Sequence, residues 1–262
     1  VKDYFVTKLE NINLKQIFDE DEFLDNINNN NNFISFGLNL KFDDLSIKYD
    51  VITKVDNMIN IYLVKSAIYT KSYYIKELTL QKYVISKLTD VPSISNLILI
   101  NNDYEFTKSD INLDQYLNIV ECESRINNED FIEVENNLKE IRRETTKIKI
   151  PEIEIGPHCK SPYQCNYFDH CRINMPYYHV EQIPNQSKDQ KQKINALGIK
   201  DIAKLPEINW LSDIQNRTIS SVKNSKAYIK STLGLSLAKF KFPLYFMDFE
   251  TIISPLPIFP NS

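Results

Sequence analysis

The spacing of apolar residues predicts a mixed α/β fold in which a run of strands precedes a helix. Residues 34–42, 45–55 and 59–67 are strand-like, and the short polar segments between them are typical of turns. We expect these three strands to form an antiparallel meander. Residues 70–88 carry an apolar stripe at helical spacing, and residues 96–102 form a further apolar strand.

The order strand, helix, strand between residues 59 and 102 implies one parallel pair in an otherwise antiparallel sheet. Further patterns predict helices over residues 13–27, 129–147 and 211–231 and strands over residues 115–122 and 241–252. The chain then divides into a helical leader with an Asn-rich connector (1–32), the sheet (33–150), a cysteine-bearing loop (151–181), a helical Lys-rich linker (182–240) and a final strand (241–262).

Composition excludes several classes of protein. The 262 residues carry a net charge of −4, so a generally basic surface for coating nucleic acid is excluded. No apolar run reaches the roughly 18 residues that a membrane span needs. The four glycines stand alone, which excludes the glycine-rich loops that cradle phosphates. Residue 1 is Val and no signal segment opens the chain, so we expect a cytoplasmic piece of a longer protein.

Three of the four cysteines fall within one short loop. Cys159, Cys165 and Cys171 follow a C-x5-C-x5-C spacing, and a reducing cytoplasm disfavours disulfides between them. Thiolates in such a loop are suited to one shared metal centre, with three incidental thiols as the alternative. A fourth ligand is needed, and the candidates are a residue outside the chain, Cys122, His158 and His170.

A second set of polar residues points to hydrolysis with a divalent metal. Asp50 lies on the second strand, Lys65 on the third, and Gln81 within the apolar stripe of the helix. In metal-dependent nucleases, carboxylates hold the ions and a lysine orients or activates the attacking water. Leu63 shares a strand face with Lys65, at the position where a second carboxylate would lie. The alternative is that Asp50 and Lys65 are solvated strand charges.

A further acidic pair, Asp248 and Glu250, ends the last predicted strand. Two acids that flank a single residue project from the same face of a strand, where they can together hold a divalent ion. Two-metal exonucleases begin their sites in this way. The alternative is that the pair is an ordinary polar strand end.

Taken together, these residues resemble an uncharacterised bacterial family in which a RecB-like, PD-(D/E)XK nuclease domain precedes a ribonuclease H-like DEDD exonuclease domain. The segments YDVITKV, YLVKS and LTLQKYV look like the RecB core motifs. IGPHCKSPYQCNYFDHC is similar to the cysteine clusters of AddB and of CRISPR-associated iron–sulfur exonucleases. PLYFMDFETI resembles the opening strand of the DEDD domain.

The resemblance implies a restriction-endonuclease-type α/β core, followed by a metal-binding cysteine loop, a helical segment and the first strand of a second domain. It implies catalytic roles for Asp50, Lys65, Gln81, Asp248 and Glu250. The three acids would bind Mg²⁺ or Mn²⁺, and the partner would be DNA or RNA. It also implies a [4Fe–4S] cluster, with zinc as the alternative, on Cys159, Cys165 and Cys171.

Departures from the family's pattern leave both acidic sites incomplete. Leu63 replaces the metal-binding glutamate, and Ile85 replaces the tyrosine that follows Gln81 at the fourth position. The further aspartates of a DEDD site would lie beyond residue 262. We therefore expect a nuclease-family protein that is inactive or incomplete in this chain. The alternatives are a non-catalytic nucleic-acid-binding or scaffolding module and an unrelated globular protein with a zinc-binding loop.

Overall fold

The chain folds into two compact units, each with a hydrophobic core of its own. The structure is a computed structural model and describes residues 1–106, 111–149, 153, 155–251 and 254–256. The first unit comprises residues 1–151 with 251–262, and the second comprises residues 152–250.

A six-stranded mixed sheet, with its strands in chain order, forms the first unit. The strands are β1 (Lys15–Gln16), β2 (Phe33–Phe42), β3 (Leu45–Val55), β4 (Met58–Val64), β5 (Ser93–Ile100) and β6 (Leu117–Glu121). β2, β3 and β4 form the antiparallel meander that the alternation predicts. Their hairpins turn through Asp43 and Asp56, which both adopt positive φ, a conformation that aspartate tolerates. The mixed sheet, together with the helices of this unit, confirms the predicted α/β class.

Two strand pairs are parallel, one more than the pattern predicts. β4 and β5 are parallel and are joined by α3 (Ser72–Leu88), as expected. β1 also pairs in parallel with the start of β2, and α2 (Glu20–Asn28) connects these two strands. The helix predicted over residues 13–27 is wrong in its first half, because Asp19 has an extended backbone and its carboxylate caps α2 at Glu22.

Helices cover both faces of this sheet. α3 buries Tyr74, Leu78 and Ile85 against one face, and we call the cluster there the α3 core. On the opposite face, Phe5 of α1 (Lys2–Lys8) packs on Val51 and neighbouring apolar residues, which we call the α1 core. Each large aliphatic side chain buried in this way stabilises the fold by roughly 1.5–3 kcal/mol. The remaining helices of this unit are α4 (Leu113–Tyr116) and α5 (Asn128–Thr145).

The second unit is helical where it is regular. Its helices are α6 (Phe168–Arg172), α7 (Lys188–Ala196), α8 (Asp213–Lys223) and α9 (Leu233–Leu237). Ser187 and Ser212 begin α7 and α8 with capping boxes that satisfy backbone N–H groups at each helix start. The helix predicted over residues 211–231 is shorter in the structure, because α8 begins at Asp213 and ends at Lys223. Ile194 and Ile219 bring α7 and α8 to a shared core.

Candidate active site

The pleat of the sheet is interrupted where Gly37 of β2 lies opposite Asp50 of β3. Residues two apart in a regular strand share a face, yet Tyr49 packs in the α3 core and Val51 packs in the α1 core. The alternation of β3 therefore reverses at Asp50. Gly37 has a φ of +75°, a left-handed conformation that glycine adopts without the penalty of a Cβ atom.

Asp50 uses its carboxylate to continue the strand pairing at this interruption. Its Oδ2 atom accepts a hydrogen bond of 2.8 Å from the backbone N–H of Val64. The β3–β4 register ends at the pair Val51 and Tyr62, so the carboxylate takes the place of a backbone acceptor just beyond it. Because Lys65 follows Val64 directly, the sheet fixes Asp50 beside the segment that leads into Lys65.

Lys65 leaves the end of β4 and reaches α3. Its backbone N–H donates to the carbonyl oxygen of Ile98 at 3.0 Å, and its Nζ atom lies 2.7 Å from Oε2 of Glu77. Nζ also lies 5.4 Å from the centre of the Tyr74 ring, within the range of cation–π attraction. The Lys65 side chain is 22% exposed, so water screens this ion pair only in part.

Gln81 occupies the predicted polar position in the buried stripe of α3 and is 2% exposed. The side-chain Nε2 atom of Gln81 donates to the backbone carbonyl oxygen of Lys48 at 3.1 Å. The backbone carbonyl oxygen of Gln81 accepts a hydrogen bond from the Tyr49 hydroxyl at 2.8 Å. Its Oε1 atom is buried and has no hydrogen-bond partner within the described ranges. An unpaired buried acceptor costs about 1–3 kcal/mol, so this oxygen is a candidate ligand atom.

The carboxylate beside Lys65 comes from α3 and not from β4. Leu63, at the strand position of the expected acid, is 1% exposed and packs in the α3 core. Glu77, which pairs with Lys65, precedes Gln81 by one helical turn. Glu77 was not among the residues predicted from the sequence, although an i, i+4 spacing from Gln81 places the two as neighbours on the helix surface. Asp50, Lys65 and Gln81 are thus each held by a different neighbour: Asp50 by the backbone of β4, Lys65 by Glu77 of α3, and Gln81 by the backbone of β3.

The three thiols of the cysteine loop differ in their exposure to solvent. Cys159 ends a single-turn helix and is buried, whereas Cys165 and Cys171 are exposed. The Cys165 N–H donates to the carbonyl oxygen of Cys159 at 2.8 Å. Nowhere in the described ranges are three His, Cys, Asp or Glu side chains grouped so that they could hold a metal ion. The structure does not gather the loop thiols at one point, and the [4Fe–4S] or zinc site stays a prediction from the sequence.

Cys122, one candidate for the fourth ligand, lies in the hydrophobic core of the first unit. It is fully buried in the α3 core, and its thiol donates to the carbonyl oxygen of Val120 at 3.4 Å. Burial raises the pKa of the Cys122 thiol, which disfavours the thiolate that metals bind. Cys122 therefore serves as a matched control for experiments on the cysteine loop.

Protein purified without oxygen is expected to carry less than one iron–sulfur cluster per chain, because the loop supplies three of the roughly four thiolates that such a cluster takes. Metal binding would draw Cys165 and Cys171 towards Cys159, since binding and local folding are coupled. Iron, zinc and acid-labile sulfide are measured per chain. Cys165→Ser should abolish binding, and Cys122→Ala should retain it. Metal-free, fully folded protein with three freely titratable loop thiols would contradict the prediction.

The strand predicted over residues 241–252 is absent from their described part. Asp248 and Glu250 are exposed in irregular backbone, and the Asp248 carboxylate accepts a hydrogen bond of 2.8 Å from the Phe249 N–H. The neighbouring large side chains are 80–91% exposed: Tyr245, Phe246, Met247 and Phe249. A strand needs a partner for its backbone groups, and no strand follows β6 among the described residues. The two acids remain candidates from the sequence alone.

Comparison with protein-family models, with curated proteins and with solved structures finds no match for this chain. Within the described ranges, every helix is too short or too polar to cross a lipid bilayer.

Proposed function

We propose that this chain is a nuclease-family protein for processing DNA or RNA in the cytoplasm, and that its first unit is a RecB-like core. The ion pair of Lys65 with Glu77, one helical turn from the buried, unpaired Oε1 atom of Gln81, supports this proposal. Asp50 lies on β3, the strand next to β4. The mixed sheet with a parallel β4–α3–β5 unit is compatible with such a core.

The first unit offers part of what hydrolysis with a divalent metal needs. Its oxygen donors are the Asp50 and Glu77 carboxylates and the unpaired Oε1 of Gln81, which are ligand types that Mg²⁺ and Mn²⁺ accept. Lys65 would orient an attacking water. Two-metal hydrolysis needs several carboxylates around ions about 4 Å apart. With an apolar Leu63 in place of one of them, the core is catalytically incomplete.

The wild-type chain is expected to bind Mn²⁺ weakly and to leave nucleic acids substantially uncleaved. Calorimetry measures Mn²⁺ binding, which should be lost in Asp50→Asn and Glu77→Gln and kept in Asp21→Asn, an exposed acid of α2. Cleavage of single- and double-stranded DNA and RNA is assayed with Mg²⁺ and Mn²⁺.

Two results would revise this picture in different ways. Robust wild-type cleavage that Lys65→Ala abolishes would show that another acid completes the site, and loss of this cleavage in Glu77→Gln would identify Glu77 as that acid. Mn²⁺ binding that is absent, or that is unaffected by Asp50→Asn, would contradict a RecB-like metal site in this unit.

A second candidate function is a non-catalytic nucleic-acid-binding or scaffolding module, stabilised by an iron–sulfur or zinc centre. The burial of Leu63 and the hydrogen bond from Val64 to Asp50 favour it, because both features serve the packing of the sheet. This candidate predicts nucleic-acid binding without any Mn²⁺ binding, and so the calorimetric measurement separates the two functions.

A further inference from the structure

Tyrosine rings and lysine ammonium groups cluster between the end of β4 and the first turn of α3. The Lys71 Nζ atom lies 5.8, 5.7 and 5.9 Å from the ring centres of Tyr69, Tyr73 and Tyr74. Lys65 Nζ lies 5.4 Å from the Tyr74 ring centre. We call these five residues the tyrosine–lysine surface. Cation–π attraction between the ammonium groups and the rings holds it together.

The outer part of this surface, at Tyr69, is open to solvent, whereas Tyr74 is buried beneath it. Tyr69 is 62% exposed, and the adjacent Ile68 is 48% exposed. Residues 65–76 contain three lysines and no acidic residue. Lys65 pairs with Glu77 and Lys76 with Glu133, so Lys71 supplies the positive charge beside the exposed ring of Tyr69. The hydrogen bond with Tyr73 raises the pKa of Lys71, so its ammonium group stays charged at neutral pH. An exposed ring beside fixed positive charge is suited to a ligand with both flat apolar faces and negative groups.

We infer that the tyrosine–lysine surface binds single-stranded nucleic acid. Unpaired bases stack on aromatic side chains while lysines contact the phosphates, and this combination is what single-strand-binding grooves use. A duplex keeps its base faces stacked on one another, so it cannot offer them to Tyr69. DNA and RNA share the features that this surface recognises.

The position of the surface connects it to the candidate active site. Tyr74 lies between the two regions, because its ring is within 6 Å of both Lys71 and Lys65, and Lys65 pairs with Glu77. A nucleic-acid strand bound at Tyr69 and Lys71 would therefore lie next to Lys65, which follows the end of β4. The inference rests on the proposed function and deepens it, since it names single strands as the form of nucleic acid that reaches this core.

Fluorescence anisotropy with the full chain tests the inference directly. The probes are labelled oligo(dT) and oligo(U) of about 16 nucleotides and a DNA duplex of the same length. Tyr69→Ala should weaken binding of the single strands roughly 10-fold, and Tyr69→Phe, which keeps the ring, should bind normally. Lys71→Ala should weaken binding and reduce the salt slope by about 0.7 for each phosphate that is no longer neutralised. Phe18→Ala is the control, because Phe18 is a 70% exposed aromatic residue elsewhere in the same unit.

The possible outcomes separate this inference from the proposed function. A duplex bound as tightly as single strands, or normal single-strand binding by Tyr69→Ala, would overturn the tyrosine–lysine surface and leave the nuclease proposal standing. Binding that follows the expected variant pattern, in a chain that binds no Mn²⁺, would support the surface and overturn the RecB-like metal site. A wild-type chain that binds none of the probes would overturn both.

Discussion

Leu63→Glu is expected to unfold the first unit rather than to complete a metal site. Leu63 is 1% exposed and lies opposite Leu97 in the parallel ladder of β4 and β5, within the α3 core. A carboxylate at this position would be buried among apolar side chains, where an unpaired charge costs several kcal/mol. We expect a loss of about 4 kcal/mol or more, a large part of the roughly 5–15 kcal/mol by which domains are stable.

Urea denaturation followed by circular dichroism measures this loss. Leu63→Met is the matched control, since it keeps an apolar side chain of similar volume and should cost less than about 1.5 kcal/mol. A folded Leu63→Glu protein with Mn²⁺-dependent cleavage would show that β4 can turn this side chain towards the metal ligands. In that case, the expectation that this position cannot accommodate a carboxylate would be wrong.

Lys54→Met is expected to destabilise the first unit by about 2–4 kcal/mol. Lys54 is fully buried, and its ammonium group donates to Asn30 Oδ1 at 2.8 Å, to the Asn31 carbonyl oxygen at 3.3 Å and to the Asp56 carbonyl oxygen at 2.7 Å. Methionine fills a similar volume but leaves these acceptors without their donor, at about 1–3 kcal/mol for each one that water cannot reach. Burial lowers the pKa of Lys54, so removing the buried charge offsets part of that loss.

The control for this variant is Lys48→Met, because Lys48 lies on the same strand with its side chain exposed. Chemical denaturation should show little change for Lys48→Met, within about 0.5 kcal/mol. Equal stability of the two variants would mean that the loop around Asn30 and Asn31 closes without the lysine. Loss of stability in Lys54→Met alone would establish the Asn run as a structural part of the sheet.

The sequence pattern predicted the centre of the first unit well. β2, β3, β4 and α3 lie close to their predicted bounds, because each buries its apolar residues at a regular period against the α3 core. The parallel β4–β5 pair follows from the same pattern, since a helix between two strands requires a crossover. Gln81 was also recognisable, as a polar residue within an apolar stripe.

Features that depend on contacts between distant residues were not predictable in this way. The run from Asn28 to Asn32 has the composition of a solvated connector, yet Asn30 and Asn31 accept hydrogen bonds from Lys54 on β3. Likewise, the pairing of Glu77 with Lys65 has no periodic signal in the chain. Residues 241–252 have the apolar pattern of a strand, but their described part is irregular. The pattern alone does not reveal whether a partner strand is present.

The interruption at Gly37 has a consequence for how this sheet meets other chains. β1 covers only the first two residues of β2, so the outer edge of β2 from Ser35 to Phe42 has no strand partner among the described residues. Long, flat strand edges promote aggregation by pairing with strands of other molecules. At Gly37 the faces of β2 exchange, and an incoming strand that matches one half would present its side chains wrongly to the other half. The kink beside Asp50 therefore makes this open edge a poor template for a regular, unkinked strand of another molecule.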